Sequence, residues 1–423
     1  MNRKIKPIIF CKRCLYSTNH PLGITLNEDG ICSGCTVHEE KDNLDWAERK
    51  DLLTKIIAPY KSQSSLNYDC IVPVSGGSDS YFIVDIVKNT LKLKPLLVNY
   101  NKYFNTPLGI RNLANLRRIF DCDILIQNVN INSVKKIAKE TLRRFGNFYW
   151  PCIAGQTVFP VQTAIKFKVP LIIWGAHQGL EQVGMFSHLN EVEMTRRYRK
   201  DHDLFGFEAD DLIQSSNIIN EEDIAQYRYP DNHNLNRIGV RGIYLGNYIR
   251  WDPKAQHELM IKKYRYETSS FKRTFDCYDH VDCFNYMDMH DLLKLYKHGY
   301  SKVTDHATRE IRHKRLTRTQ GYALVRKYEL KNIEYSDLIY KWLGISKHSF
   351  DSILNSHRNP LYWKQTSFQN YEFNGLSEML KNLIINKHDT NEVSIPKEAE
   401  FLQNSNLVRN KERKYIIVGK GYP

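Results

Sequence analysis

The amino-acid sequence predicts an α/β fold: a doubly wound parallel sheet, preceded by a zinc module and followed by a mostly helical C-terminal half. Three observations support this. Short apolar runs alternate with helical patterns from Asp69 to about Gly179, two Cys-x-x-Cys pairs lie near the start, and strand signals fade after about Glu181. Alternating strands and helices are typical of parallel sheets, which bind ligands at the carboxyl ends of their strands.

Length and charge limit the function classes. A chain of 423 residues exceeds one compact core, so more than one domain is expected. The net charge of +14 favours an anionic partner, either a nucleic acid or a phosphorylated small molecule, unless the surface is simply basic. No apolar run approaches the roughly 18 residues of a membrane span, and no signal peptide is recognisable. We therefore expect a cytoplasmic protein with no membrane partner.

Residues 1–45 are predicted to form a zinc-ribbon-like module. Cys11 and Cys14 make the first pair, and Cys32 and Cys35 make the second. This pattern is typical of a closed, structural Zn²⁺ site with four thiolates, and an iron–sulfur cluster is the alternative. The chain has nine cysteines, an odd number that argues against a disulfide framework.

Apolar periodicity assigns the next segments. Residues 46–68 are predicted as a helix and a polar linker, and residues 69–253 as the parallel-sheet domain. The strands are expected at 70–74, 95–100, 123–129 and 170–175. The helices between and after them are expected at 80–91, 109–120, 134–145 and 156–167.

The sequence Ser-Gly-Gly-Ser-Asp-Ser, residues 75–80, joins the first strand to the first helix of this domain. Adjacent glycines let the backbone turn sharply and expose N–H groups, and the helix N-terminus adds positive potential. The product is a cradle for phosphates. Asp79 would repel a polyphosphate unless Mg²⁺ lies between them, so its presence predicts a magnesium–pyrophosphate site. Neither of the two commonest nucleotide-binding loops occurs in the chain.

This loop resembles the PP-loop of the N-type ATP pyrophosphatases, which have the adenine-nucleotide α-hydrolase type of sheet. The resemblance implies cleavage of ATP between its α and β phosphates and transfer of AMP to a substrate oxygen. It implies catalytic roles for Asp79 and Ser80. Glu181 is predicted as a second acidic catalytic group, for the metal or for proton transfer, and a surface carboxylate without function is the alternative. The implied ATP-binding residues are Ser75, Gly76, Gly77, Ser78, Asp79, Ser80, Asn99, Tyr100 and Gly175.

Residues 254–395 are predicted to form a mostly helical substrate-binding region, and residues 396–423 a tail. Within this region, residues 295–329 combine cations, hydroxyls and an acid on and just before one helix. Composition alone favours a solvated charged helix. The element GYSKVTDHATREIR within it is distinctive, and the same chain also contains PCIAGQTVFPVQ.

Together with the loop and the cysteine pairs, these elements resemble the bacterial N-acetyl sugar amidotransferase family, from about Cys11 to Trp363. The resemblance implies synthesis of lipopolysaccharide O-antigen, capsule or flagellar glycan. It implies that the acetamido group of an activated or nucleotide-linked sugar becomes an acetamidino group. Ammonia would come from a separate glutamine amidotransferase subunit, and ATP would be converted to AMP and pyrophosphate.

The residues expected to contact the sugar substrate are mostly basic or hydroxylated. They are Cys152, Gln156, Arg196, Arg197, Arg199, Lys200, Lys302, Thr304, Asp305, Arg309 and Arg312. For Cys152, a buried packing role is the alternative to a catalytic thiol.

Two other functions fit parts of the sequence. A tRNA-thiolating PP-loop enzyme would also be basic and carry zinc, but it would need further cysteines near the nucleotide site. A zinc-bearing nucleic-acid-binding protein with an inactive nucleotide domain is the second, although the intact loop argues against it. The sequence does not identify the sugar, its activating nucleotide or the oligomeric state.

Overall fold

A computed structural model describes residues 7–61, 67–214, 217–367, 370–384, 394–404 and 416–417. Within them lies a five-stranded parallel sheet in the order β4-β2-β1-β5-β6, which confirms the predicted fold class. The strands are β1 Cys70–Pro73, β2 Pro95–Tyr100, β3 Phe104–Asn105, β4 Ile124–Gln127, β5 Leu171–Trp174, β6 Arg241–Tyr244, β7 Trp363–Ser367, β8 Asn370–Phe373 and β9 Ile416–Ile417.

Helices surround the sheet and make up most of the C-terminal half, as expected. In the first half they are α1 Ser33–Asn43, α2 Trp46–Ile57, α3 Ser78–Asp85, α4 Pro107–Phe120, α5 Ile131–Phe145, α6 Trp150–Phe167, α7 Gln178–Glu181, α8 Arg196–Tyr198 and α9 Ala209–Gln214. The others are α10 Glu221–Ile224, α11 Asn232–Ile238, α12 Pro253–Tyr264, α13 Phe284–His298, α14 Lys302–Arg312, α15 Arg318–Tyr328, α16 Ser336–Leu343, α17 Lys347–Ser356 and α18 Leu376–Ile384.

The strand order places a ligand crevice beside β1. The chain passes from β1 outward to β2 and β4, then crosses to β5 and β6 on the other side. Ile71 of β1 is in register with Leu96 of β2 and with Ile172 of β5. Reversal of the strand order at β1 opens a crevice at its carboxyl end, where residues 75–80 follow.

Both faces of the sheet are covered. Helix α6 packs on β1 and β2, while α3 and α12 pack together on the other face. All six residues of β2 are buried, in keeping with an apolar strand covered on both sides. Within the described residues, no helix is long and apolar enough to span a membrane.

Strands also occur beyond residue 181, where the sequence gives few strand signals. Strand β6 adds to the sheet beside β5, and β7 and β8 form a hairpin. The sequence of β6, Arg-Gly-Ile-Tyr, has too few apolar residues to give a strand pattern.

The structure describes the predicted linker and the predicted tail only in part. Residues 62–66 of the predicted linker and residues 405–415 and 418–423 of the predicted tail lie outside the described residues. Strand β9, within that tail, pairs antiparallel with β3.

The four-cysteine module is built into the fold. Its cysteines share an apolar core with Tyr300, Val303 and Ala307, at the start of α14. The module, the sheet domain and the C-terminal helices therefore meet around one region.

Candidate active site

The loop at residues 75–80 has the geometry of an anion cradle. Gly76 has φ +82°, which glycine adopts without strain, and a Cβ there would lie 3.0 Å from Leu113 Cβ. The Gly77 N–H donates to Ser75 Oγ at 3.1 Å, and the Ser75 N–H donates to Ser80 Oγ at 3.0 Å. Helix α3 begins at Ser78 with no side-chain cap, so its first N–H groups remain available for phosphate oxygens.

Asp79 lies in the first turn of α3 and is paired with a histidine from the C-terminal half. Its Oδ1 is 2.7 Å from His257 Nε2; the Asp79 side chain is 51% exposed and the His257 side chain 2%. The buried imidazole fixes one oxygen of a carboxylate whose other side faces solvent. One carboxylate beside a phosphate cradle is a donor set that suits Mg²⁺, which prefers oxygen ligands and substrate phosphates.

A cavity of about 1130 Å³ extends from this loop to the C-terminal helices. Most predicted loop residues and several predicted substrate residues line it. They are Ser75, Gly77, Ser78, Asp79, Ser80, Tyr100, Gln156, Gly175, Arg199, Lys302 and Asp305. The structure therefore brings residues of the PP-loop and of the 295–329 segment to a single cavity.

The remaining predicted residues are described but do not line this cavity. They are Gly76, Asn99, Cys152, Glu181, Arg196, Arg197, Lys200, Thr304, Arg309 and Arg312. Asn99 holds the end of β2 against the loop, because its Nδ2 donates to the Val74 carbonyl at 2.7 Å.

Cys152 is a core residue of α6. It is fully buried in a cluster with Trp150 and Tyr286. Burial raises the pKa of its thiol to about 12, so the thiolate is scarce at neutral pH. This placement matches the packing alternative stated for Cys152.

Carboxylates accompany the basic residues 196–200. Arg196 and Arg199 both donate to Glu208, at 2.7 and 2.8 Å. Lys200 lies 3.2 Å from Asp211. Arg197 is 93% exposed, and its Nε lies 3.6 Å from Asp201 on the next turn. Each of these cations already has a carboxylate partner. The pairing makes the segment less suited to binding a substrate phosphate.

The end of the cavity away from the loop at residues 75–80 is lined by three lysines: Lys294, Lys297 and Lys302. Lys294 is ion-paired with Asp305. Burial would raise the pKa of Asp305, but the charges of Lys294 and Lys302 hold it well below its usual value. Among the described residues, no carboxylate lies within 4.0 Å of the ammonium of Lys302 or Lys297, which both line the cavity. Burial lowers the pKa of Lys297 to about 8.

A hydrogen-bonded network lies on another wall. His306 Nε2 is 3.0 Å from Asp279 Oδ2, and its Nδ1 is 2.6 Å from Thr274 Oγ1. Arg309 donates to Asp276 at 2.6 Å. Asp276, Asp279 and His306 are close enough to hold a metal ion. However, both imidazole nitrogens have partners and the Arg309 guanidinium is bound to Asp276, so these groups are already engaged with one another.

The four cysteines of the module converge. Their Sγ atoms all lie within 4.8 Å of one another, and each side chain is buried. Cys14 Sγ and Cys32 Sγ are 3.6 Å apart, close to the separation of about 3.8 Å expected for two thiolates on a tetrahedral zinc. The cluster is therefore able to hold a metal ion, and its residues fit Zn²⁺.

Arg312 and Glu181 connect this module to the sheet domain. Arg312 donates to the carbonyls of Glu181 and Gln182, at 3.1 and 2.7 Å, and its Nη2 lies 3.6 Å from Cys32 Sγ. The Glu181 carboxylate accepts from Lys41 at 2.5 Å, and the Lys41 side chain is 1% exposed. Both predicted site residues thus serve the interface between module and sheet in this structure.

Sequence reasoning missed several residues of the site. His257, Lys294, Lys297 and His306 each come from helices in the C-terminal half. No spacing signal joins His257 to Asp79, which lies 178 positions earlier. The HATREIR stretch contains His306, but the sequence gives no sign of its partner Asp279.

Comparison with known proteins finds a family model that is similar to the C-terminal part of the chain. Residues 255–377 match the model "LPS biosynthesis protein WbpG-like, C-terminal domain". This confirms the resemblance to a surface-glycan family that residues 295–329 indicate. The matched range contains His257, Lys297 and Lys302.

Two further similarities are weaker. "Uncharacterized protein MJ1599" of Methanocaldococcus jannaschii is 26% identical over 119 residues, which is 28% of this chain and 42% of that protein. The match thus spans less than half the length of that relative. An NH3-dependent NAD synthetase from Campylobacter jejuni aligns with a TM-score of 0.26 and 11% identity, over 46% of this chain and 92% of that one.

Proposed function

We propose that this protein is an ATP-dependent amidotransferase of lipopolysaccharide or related glycan synthesis, a proposal supported by the match of residues 255–377 to the model "LPS biosynthesis protein WbpG-like, C-terminal domain". Its substrate is an activated N-acetyl sugar. The acetamido group of that sugar becomes an acetamidino group, and ATP becomes AMP and pyrophosphate.

The observation that carries the proposal is the shared cavity. The anion cradle at residues 75–80 and the cationic end around Lys297 and Lys302 line the same space of about 1130 Å³. Binding sites for a single small molecule usually measure about 300 to 1,000 Å³. The cavity therefore has room for ATP at the loop and a second substrate toward the C-terminal helices.

The chemistry needs an amide oxygen to become a leaving group. The acetamido carbonyl oxygen attacks the α-phosphorus of ATP, the bond to the bridging oxygen breaks, and pyrophosphate leaves. Ammonia then adds to the carbon of the O-adenylated imidate. The carbon–oxygen bond breaks, AMP leaves with the former acetamido oxygen, and an amidine remains. Positioning and charge neutralisation supply most of the catalysis.

Each part of the site has a role in this scheme. The free N–H groups of the cradle hold the pyrophosphate, and Asp79, fixed by His257, is the residue that would hold Mg²⁺. Bound Mg²⁺ would neutralise charge on the phosphates. Lys297 and Lys302 bind the phosphate or carboxylate of the activated sugar.

The remaining components follow from the same scheme. The four cysteines hold a structural Zn²⁺. Ammonia comes from a separate glutamine amidotransferase subunit, and the reaction takes place in the cytoplasm, without a nucleic-acid or membrane partner. Free ammonium should then support turnover by the purified chain, whereas glutamine alone should not.

Mass spectrometry tests the proposal. The purified protein is incubated with ATP, Mg²⁺, ammonium and a panel of N-acetylated nucleotide sugars. The proposal predicts a product in which one oxygen of the acetamido group is replaced by NH, formed together with AMP. Release of ADP, or no change in any sugar of the panel while ATP is consumed, would contradict it.

A further inference from the structure

The zinc module supplies part of the cavity wall. Residues 18–22, which lie between the two cysteine pairs, all line the cavity. The turn is held by its own backbone: the His20 N–H donates to the Ser17 carbonyl at 3.1 Å, and the Gly23 N–H donates to the His20 carbonyl at 3.0 Å. This wall is therefore a compact turn within the four-cysteine module.

Three rings form an aromatic group at this wall. The ring centroids of Tyr16 and His20 are 4.6 Å apart, and those of His20 and Tyr300 are 5.5 Å apart. Tyr16 belongs to the module. Tyr300 precedes α14, within residues 255–377, which match the WbpG-like model. Such rings pack against the apolar C–H face of a ligand while their polar edges form hydrogen bonds.

His20 has a hydrogen-bond donor without a partner. Its Nδ1 accepts from the Leu22 N–H at 3.3 Å, so the proton of the neutral ring lies on Nε2. Burial lowers the pKa of His20 to about 3, which keeps the ring neutral. The residue is 6% exposed, and its Nε2 has no partner within the described residues. A buried, unpaired donor is unfavourable until a ligand oxygen accepts from it.

The surroundings favour an oxygen-rich or anionic ligand. Tyr300 Oη is also unpartnered among the residues that the structure describes. The Lys294 ammonium lies 4.3 Å from the Tyr300 ring centroid, and Tyr16 Oη donates to Asp305 at 2.8 Å. Free hydrogen-bonding groups and aromatic faces thus occur together at this end of the cavity.

We propose that residues 18–22 form a wall of the acceptor-sugar subsite, and that His20 Nε2 donates to an oxygen of an N-acetylated nucleotide sugar. The zinc module is then a part of substrate recognition as well as a folding unit. This inference rests on the proposed function, since it assigns that function's second substrate to this end of the cavity.

Two substitutions at His20 separate the ring from the donor. His20→Phe keeps an aromatic ring and removes the donor, whereas His20→Gln keeps an N–H donor. Lys12→Ala, an exposed change in the same module, is the control. Calorimetry measures binding of UDP-N-acetylglucosamine and of CMP-N-acetylneuraminate, as probes of the two common nucleotide types, and separately of ATP. Zinc content and thermal melting report whether each variant is folded.

The inference predicts that His20→Phe weakens binding of the nucleotide sugar about threefold to tenfold, as expected for one neutral hydrogen bond. His20→Gln should recover part of this loss, and ATP affinity and zinc content should not change. Wild-type sugar binding by His20→Phe would overturn the inference, and so would an equal loss of ATP binding or of zinc. If the wild-type protein binds neither nucleotide sugar, the inference fails together with the proposed function.

Discussion

Asp79 and His257 join the two halves of the chain at the phosphate cradle. The aspartate stands at the N-terminus of α3, where the helix dipole stabilises its negative charge. The imidazole, nearly inaccessible to solvent, holds one carboxylate oxygen at 2.7 Å. A carboxylate fixed in this way loses little freedom when it binds a metal ion, so under the proposed function the pair would prepare the site before ATP binds.

Replacement of Asp79 by alanine should abolish most of the ATP cleavage without unfolding the protein. The side chain is half-exposed, so little packing is lost. The phosphates lose the group that holds their cation, and we expect release of pyrophosphate to fall about 100-fold or more. A coupled pyrophosphate assay measures the rate, with Asp51→Ala, an exposed change on α2, as the control. A wild-type rate in Asp79→Ala would refute the assignment.

His257 should act through Asp79, as a positioning residue. His257→Phe removes the hydrogen bond, and loss of such a supporting contact typically weakens metal affinity about 10- to 100-fold. His257→Gln retains a donor and should restore part of the affinity. Calorimetric titration of ATP at increasing Mg²⁺ concentrations measures the effect. Unchanged Mg²⁺ dependence in His257→Phe would mean that the pair is only structural.

Lys297 gives the site a dependence on pH. Burial lowers the pKa of this ammonium to about 8, so the cation is present below that pH and is lost above it. If it binds the anionic part of the sugar substrate, kcat/KM for the sugar should fall as the pH rises through about 8. Lys297→Arg should move this decline to higher pH, because a guanidinium stays protonated. A decline that is the same in wild-type and Lys297→Arg enzyme would exclude this role.

Helix α14 contacts both the sheet domain and the four-cysteine module. Its Arg312 spans from the carbonyls after α7 to the sulfur of Cys32. A zinc ion bound by the four thiolates would carry a net negative charge, and the buried guanidinium beside it would compensate part of that charge. This gives Arg312 a structural role that has no connection with substrate phosphate.

Loss of Arg312 should therefore destabilise the protein. In Arg312→Met, two buried carbonyls and a thiolate lose their hydrogen-bond donor. We expect the free energy of unfolding to fall by about 3 kcal/mol. Lys314→Met, whose side chain is 78% exposed before the change, should alter stability by less than about 1 kcal/mol. Thermal melting with zinc analysis compares the two variants. Equal melting temperatures would contradict this role for Arg312.

At the scale of elements, the sequence predicts what is periodic and apolar. Strand β2 was expected at residues 95–100 and occurs there, because a run of apolar residues buried on both faces leaves a clear signal. Strand β6 has no such signal, since Arg241 and Gly242 interrupt its pattern and it is stabilised by pairing with β5. Tertiary pairing of this kind has no local signature.

At the scale of the whole molecule, three regions supply one cavity: the four-cysteine module, the parallel-sheet domain and the C-terminal helices. The sequence identifies the loop at residues 75–80 because a strand, two glycines and a helix are adjacent along the chain. It does not identify the His257–Asp79 pair or the approach of His20 to Tyr300, since those contacts depend on how distant elements pack. The sequence indicates Arg196 and Arg199 as free cations for a substrate. Their pairing with Glu208 depends on the folded structure, so the sequence does not reveal it.

An oxygen-tracing measurement tests the central claim most directly. A substrate sugar whose acetamido oxygen is ¹⁸O is incubated with the protein, ATP, Mg²⁺ and ammonium, and the nucleotide products are weighed by mass spectrometry. Attack of that oxygen on the α-phosphorus predicts ¹⁸O in AMP and none in pyrophosphate. Unlabelled AMP, or label that appears with ADP or inorganic phosphate, would contradict the account.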